Sequence, residues 1–301
     1  MWLPRFACPE CAGPVMGAPD EGGVVCIPCG RVFTMRGGVW RFLTDHRHAR
    51  LEPFLRQYRA VRAREGYRSV PADYYRRLPA VPADDPRAGD WQIRRETYRH
   101  LLGHVLAAGP LPLHALDLGA GSGWLSHRLS MLGHRAVAVD VLDDDVDGLG
   151  AARHYDTAFP VVQADFDALP FAPGQFDLVV FNGSLHYSPD MAATLERAHR
   201  MLAPGGALVV MDSPMFRAEH DGSLMVRDAL RRFVSVCGLG DAMAQGIGYL
   251  TFATLAAIAE RLQLQPEFVP SRGSLSWRLR RGLARVRLRR APAAFGLWVA
   301  R

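Results

Sequence analysis

Residues 114–140 read HALDLGAGSGWLSHRLSMLGHRAVAVD, and this stretch constrains the fold more tightly than any other. The apolar run Ala115-Leu116-Asp117-Leu118 stops at Gly119-Ala120-Gly121-Ser122-Gly123. Trp124, Leu125, Leu129 and Leu132 then recur at helical spacing, and a second apolar run ends at Asp140. Strand, glycine turn, helix and strand in this order form one unit of an open parallel sheet. In such sheets ligands sit outside the carboxyl ends of the strands, at that first turn.

The turn itself discriminates between ligands. A dinucleotide-binding turn reads G-x-G-x-x-G, but here the glycines stand at 119, 121 and 123, and Trp124 takes the place of the last one. Asp117, just ahead of the turn, would oppose an incoming pyrophosphate. It suits the α-ammonium of a sulfonium amino acid, whose carboxylate can rest on the loop N–H groups. Asp140 ends the second strand, where a carboxylate accepts hydrogen bonds from ribose hydroxyls. The pattern points to S-adenosylmethionine.

Further landmarks follow in order: Val161-Val162-Gln163-Ala164-Asp165-Phe166, Ala168-Leu169-Pro170-Phe171, Gln175-Phe176-Asp177-Leu178-Val179-Val180 and Ala203-Pro204-Gly205-Gly206-Ala207-Leu208-Val209-Val210. With these, residues 109–301 resemble the class I S-adenosylmethionine-dependent methyltransferases, nearest the broad group that includes quinone-biosynthesis methyltransferases. The resemblance implies an α/β fold: a seven-stranded Rossmann-like sheet with helices on both faces, ending in an antiparallel strand at Phe295–Ala300. It also implies a cofactor site made by Asp117, Gly119, Ala120, Gly121, Gly123, Asp140, Val141, Asp165, Phe166 and Asn182, with Asp165 on the adenine amino group.

Methyl transfer is an in-line displacement, so the protein's main task is alignment. A general base is needed only where the nucleophile must lose a proton early. The segment expected beyond the fourth strand of the sheet is Asn182-Gly183-Ser184-Leu185-His186-Tyr187. It lacks the Asp/Asn-Pro-Pro-aromatic tetrad of many amino-group methyltransferases. His186 is the candidate base, with a packing or hydrogen-bonding role as its competing reading; Tyr187 is a candidate hydrogen-bond donor, with pocket wall as its competing reading. His220 and Asp221 form a weaker pair.

Near the N-terminus, Cys8-Pro9-Glu10-Cys11 and Cys26-Ile27-Pro28-Cys29 place two CxxC knuckles fourteen residues apart. Four thiolates so spaced converge on one tetrahedral ion, typically structural zinc. So short a segment draws much of its folding free energy from the metal. Residues 6–44 resemble the small zinc-ribbon proteins that partner translation-related methyltransferases, which implies a ribbon at 1–44. The resemblance leaves open whether the ribbon contacts a substrate or packs against its neighbour; packing is the favoured reading. The fifth cysteine, Cys237, is expected to be buried. Residues 45–108 read as a helical connector: Leu51, Phe54, Leu55, Tyr58 and Val61 keep helical spacing, as do Trp91, Arg94, Tyr98, Leu101 and Val105. A lid over the sheet and a packing strap are both open readings.

The net charge is +6, and all 36 basic residues are arginine. Alanine, glycine and proline are also abundant, as G+C-rich coding would produce, so charge alone argues little for nucleic acid. Arg272, Arg278, Arg280, Arg281, Arg285, Arg287, Arg289 and Arg290 crowd into residues 272–290, as a phosphate-contacting patch or as a solvated basic hairpin insertion between the last two strands. No apolar run reaches the ~18–20 residues needed to span a bilayer, and a cytoplasmic location without membrane insertion is expected. The function expected is methyl transfer to a small or medium-sized metabolite. The rivals are an rRNA or tRNA methyltransferase gripping its substrate with ribbon and arginines, and a non-catalytic cofactor-binding adaptor. Oligomeric state stays open.

Overall fold

A computed structural model describes residues 2–17, 22–66, 70–237, 246–273 and 275–301. The four strands nearest the N-terminus are β1 (Val15–Met16), β2 (Gly23–Cys26), β3 (Val32–Arg36) and β4 (Val39–Arg41), which pair as an antiparallel meander. Three helices follow: α1 (Asp45–Arg64), α2 (Ala72–Arg77) and α3 (Ala88–His104). Then come β5 (His114–Leu118), α4 (Trp124–Met131), β6 (Arg135–Asp140), β7 (Val161–Gln163), β8 (Phe176–Asn182), α5 (Met191–Met201) and β9 (Leu202–Met211). A short parallel pair, β10 (Met215–Phe216) and β11 (Leu250–Thr251), flanks α6 (Glu219–Cys237). The chain closes with α7 (Phe252–Arg261), β12 (Pro266–Pro270), α8 (Leu275–Leu288) and β13 (Gly296–Ala300).

The main sheet runs β1-β2-β3-β4-β7-β6-β5-β8-β9-β13-β12. Its last seven strands are the sheet expected from sequence, with β13 antiparallel to both β9 and β12. The total is eleven rather than seven. The difference arises because β4 lies parallel to β7, with Val39 opposite Val161 and Arg41 opposite Gln163. An exposed sheet edge offers unpaired N–H and C=O groups, and the N-terminal meander satisfies this one. Trp40 and Phe42 are buried in the same core cluster as Val162, Phe171 and Phe176. The N-terminal segment is further tied by Ala7 N–H to Pro170 O and Ala172 N–H to Arg5 O.

The central strands are buried on both faces, which is why β5, β8 and β9 read as continuous apolar runs. One face holds the cluster around Leu116, Phe181 and Leu195, and the other that around Leu113, Leu125, Leu178 and Val209. Trp124 opens α4 and packs edge-on against Trp91 of α3, which anchors the connector on the sheet. Residues 272–290 hold α8 rather than a hairpin. Arg278, Arg285 and Arg289 are exposed, and Arg290 pairs with Asp228. The side chains of Arg280, Arg281, Arg287 and Cys237 lie outside the described residues. No helix among the described residues is long and apolar enough to cross a membrane.

Candidate active site

The turn after β5 is shaped by glycine at positions where a side chain would collide. Gly119 has φ +71°, and a Cβ there would lie 2.2 Å from that of Ser184. Gly123 caps α4 at φ +76°, with Phe159 at 3.3 Å from a built Cβ. Both positions favour glycine on backbone grounds as well. The Gly119 and Ala120 N–H groups bond to Val139 O, while the Gly121 N–H bonds to Asp140 Oδ2 at 2.8 Å. Asp140 Oδ1 accepts from the Leu142 N–H. The loop, Asp140 and Val141 are thereby locked into one edge of a cavity of about 450 Å³ beyond the carboxyl ends of the strands.

The structure brings most sequence-predicted residues to this cavity. Gly119, Ala120, Gly121, Asp140, Val141, Asp165, Phe166, Asn182, His186 and Tyr187 all line it. Asp117 and Gly123 lie behind the lining. Asp117 is fully buried, accepts a hydrogen bond from Ser126 Oγ at 3.0 Å, and has an Oδ1 without a partner. Burial pushes its carboxyl up to about 7, and that of Asp140 up to about 6. His220 and Asp221 are not among the lining residues, and Asp221 caps the Ala291 N–H instead.

Asp165 has partners that the sequence did not announce. Its Oδ2 accepts from Arg47 at 3.2 Å and Arg50 at 3.1 Å, both on α1, and its Oδ1 from the Asp167 N–H. Farther along α1, Arg62 pairs with Asp147. These contacts hold α1 across the cavity, so that Leu51, Phe54, Leu55, Tyr58 and Arg62 form a wall. Tyr187 completes an aromatic cluster, its ring 5.6 Å from Phe54 and 5.8 Å from Tyr58. His186 lies tilted against Tyr187, ring centroids 4.1 Å apart, with Nδ1 3.2 Å from Ser213 Oγ. Burial lowers His186 to about 4, so the imidazole is neutral at neutral pH.

Sequence reasoning missed Asp212. It lines the cavity just beyond β9 at φ +57°, a conformation that costs a non-glycine residue on the order of 1 kcal/mol. Oδ1 accepts from Thr97 Oγ1 at 2.8 Å, and Oδ2 has no hydrogen-bond partner. Burial raises its carboxyl to about 6, opposed by the charge of Arg94. A signal was present: like Asp140, Asp212 is the first polar residue at the end of an apolar strand. Residues 2–44 contribute nothing to the cavity lining among the described residues, and neither does α8.

The four cysteines do converge. Their sulfurs lie within 4.8 Å of one another, with Cys8 to Cys29 at 3.7 Å and Cys11 to Cys26 at 3.4 Å. A tetrahedral zinc with ~2.3 Å bonds separates its sulfurs by about 3.8 Å, so the arrangement fits that ion. The cavity's groups suit S-adenosylmethionine in the same way. They comprise a glycine cradle, a carboxylate at a strand end and apolar Val141 and Phe166, with the buried Asp117 outside the lining.

Residues 116–210 match the family model described as a methyltransferase domain. A malonyl-[acyl-carrier protein] O-methyltransferase of Enterobacter lignolyticus is 33% identical over 132 residues, which are 43% of this chain and 51% of that protein. The mitochondrial arginine-hydroxylase NDUFAF5 of Mus musculus is 33% identical over 133 residues, 43% of this chain and 37% of that one. The chain thus spans about half the length or less of these curated relatives. Among solved structures, the 1,6-didemethyltoxoflavin-N1-methyltransferase of Burkholderia thailandensis aligns at a TM-score of 0.49 and 17% identity, over 91% of this chain and 96% of its own. Sheet order and glycine turn agree with that match: residues 116–210 carry a methyltransferase domain.

Proposed function

We propose that the protein transfers a methyl group from S-adenosylmethionine to a small or medium-sized metabolite. The observation that carries this reading is one cavity reaching from the glycine turn and Asp140 to the Phe54–Tyr58–Tyr187 cluster. The cofactor supplies an electrophilic methyl on a positively charged sulfur. Gly119, Ala120, Gly121 and Gly123 let the backbone approach it, and Asp140 receives the ribose hydroxyls. Val141 and Phe166 flank the adenine, with Asp165 and Asn182 at its polar edges and Asp117 behind the turn. Tyr58 and Tyr187 hold the acceptor in line, the part of catalysis that alignment alone can supply. His186 stays neutral beside them and can accept a proton from an acceptor that has one to lose.

Cys8, Cys11, Cys26 and Cys29 hold a structural zinc that braces β1–β4, with ribbon (1–44), connector (45–108) and methyltransferase core (109–301) as the units of organisation. The aromatic wall favours an enzyme over an adaptor, which has no need of a second site. The test is incubation with methyl-labelled S-adenosylmethionine and cell extract separated into RNA, protein and small-molecule fractions. Label in small molecules is expected. Label in RNA would overturn the metabolite reading, and cofactor binding without label anywhere would favour the adaptor.

A further inference from the structure

Asp212 and Trp91 leave two polar groups of the cavity wall unmet. Asp212 is 9% exposed and Trp91 4%, and both line the cavity. Among the described residues, Asp212 Oδ2 lacks a donor and Trp91 Nε1 lacks an acceptor. Buried polar groups are almost always paired, so two unpaired groups lining one cavity call for a ligand. The groups facing Asp212 are known. Thr97 on α3 donates to Oδ1, and Ser271, which follows β12, shares the Thr97 hydroxyl at 2.8 Å. Arg94, one turn before Thr97, acts on the carboxylate through its charge, and neutral His186 reaches the neighbouring Ser213. One carboxylate oxygen is thus held in place, and the other is left for something else.

We propose that Asp212 reads the methyl acceptor, its Oδ2 taking a hydrogen bond from an O–H or N–H carried on an aromatic or apolar body. Placing the acceptor at this end of the cavity rests on the methyltransferase reading. The body follows from Phe54, Tyr58, Tyr187 and Phe295, which stand among the lining residues. A donor is required because the unmet oxygen is an acceptor, and an anionic acceptor group would meet like charge there. A site built to receive a hydrogen discriminates strongly against a ligand without one. Asp212→Asn retains an oxygen for Thr97 and replaces the unmet oxygen with an N–H donor, which reverses the preference.

The experiment titrates phenol, aniline and benzoate into the full chain by ligand-observed NMR, with and without S-adenosylhomocysteine. It is run at pH 8, above the value of about 6 to which burial raises Asp212. Phenol or aniline is expected to bind the wild type at least about tenfold more tightly than benzoate, as a hydrogen bond to a charged group implies. The stronger of the two tells oxygen from nitrogen acceptors. In Asp212→Asn the order inverts toward benzoate. Equal binding of all three by the wild type, binding of none, or an unchanged order in the variant would overturn the assignment. If the variant does not fold, the wild-type ranking decides alone. Lost S-adenosylhomocysteine binding with retained probe selectivity would instead refute the methyltransferase reading and leave Asp212 standing.

Discussion

The cavity has two unlike walls. On one side, the turn after β5 and the end of β6 act through backbone: glycines at positive φ, N–H groups fixed on Val139 and Asp140, and a carboxylate at a strand end. On the other, α1 and α3 act through side chains alone, with aromatic rings, arginines and Thr97 reaching over from the connector. The first wall is rigid because its geometry is written into neighbouring residues. The second is held by contacts between residues far apart in the chain, such as Arg47 and Arg50 with Asp165. Under the proposed function, the backbone wall holds the cofactor and the side-chain wall chooses the acceptor.

The sharpest way to break that division is Gly119→Val. Its Cβ would lie 2.2 Å from Ser184 Cβ at a φ hostile to branched residues, so strain and overpacking add. A loss of about 4 kcal/mol in denaturant unfolding is expected, together with loss of S-adenosylhomocysteine binding by calorimetry. Next is Cys26→Ser, which removes one of four converging sulfurs. It should lower stability by about 3–4 kcal/mol and release one zinc per chain by metal analysis. A wild type that is free of metal and equally stable would refute the zinc.

Asp140→Ala should weaken S-adenosylhomocysteine binding by roughly ten- to a hundredfold, the worth of a hydrogen bond to a charged group. Tyr187→Ala should leave that affinity within about threefold and lower turnover instead. If both variants lose cofactor alike, the two walls do not divide the work. Asp117→Asn tests the buried acid. Its folded value of about 7 lies above the ordinary carboxylate value near 4, so the folded protein holds the proton more tightly than the unfolded chain does. Its charge therefore costs nothing below about pH 4 and increasingly destabilises as pH rises to about 7. The variant should be stabilised at pH 8, by on the order of 1–3 kcal/mol, with no gain at pH 4. The smallest effect is expected of Arg50→Ala: the arginine side chain is 61% exposed, and about 0.5 kcal/mol or less should be lost.

Much of the backbone wall was legible. Strand, turn, helix and second strand follow one another without a gap between 114 and 140, and Asp140 stands where the sequence places it. The paired cysteines were equally readable, because two short knuckles carry all four converging thiols. The connector was legible only as helices. Leu51, Phe54 and Tyr58 show the period of a buried stripe, but nothing in that period says the stripe faces a cavity rather than a core. Asp212 was visible only by analogy with Asp140. The sheet exceeded the expected strand count because strand pairing across an edge leaves no local mark in β4 or β7.

What the sequence determined by itself is the chemistry of neighbours: where glycine must accept positive φ, where apolar runs stop at an acid, and which thiols can share an ion. Those features depend on bonds and sterics within a few residues, which the order of amino acids states outright. Tertiary structure alone decided that Asp212 meets Thr97, 115 positions away, that Asp165 is gripped by α1, and that β4 completes the edge beside β7. Such encounters depend on how whole elements pack. Packing is set by the shape and burial of many side chains at once, so no single stretch of sequence carries it.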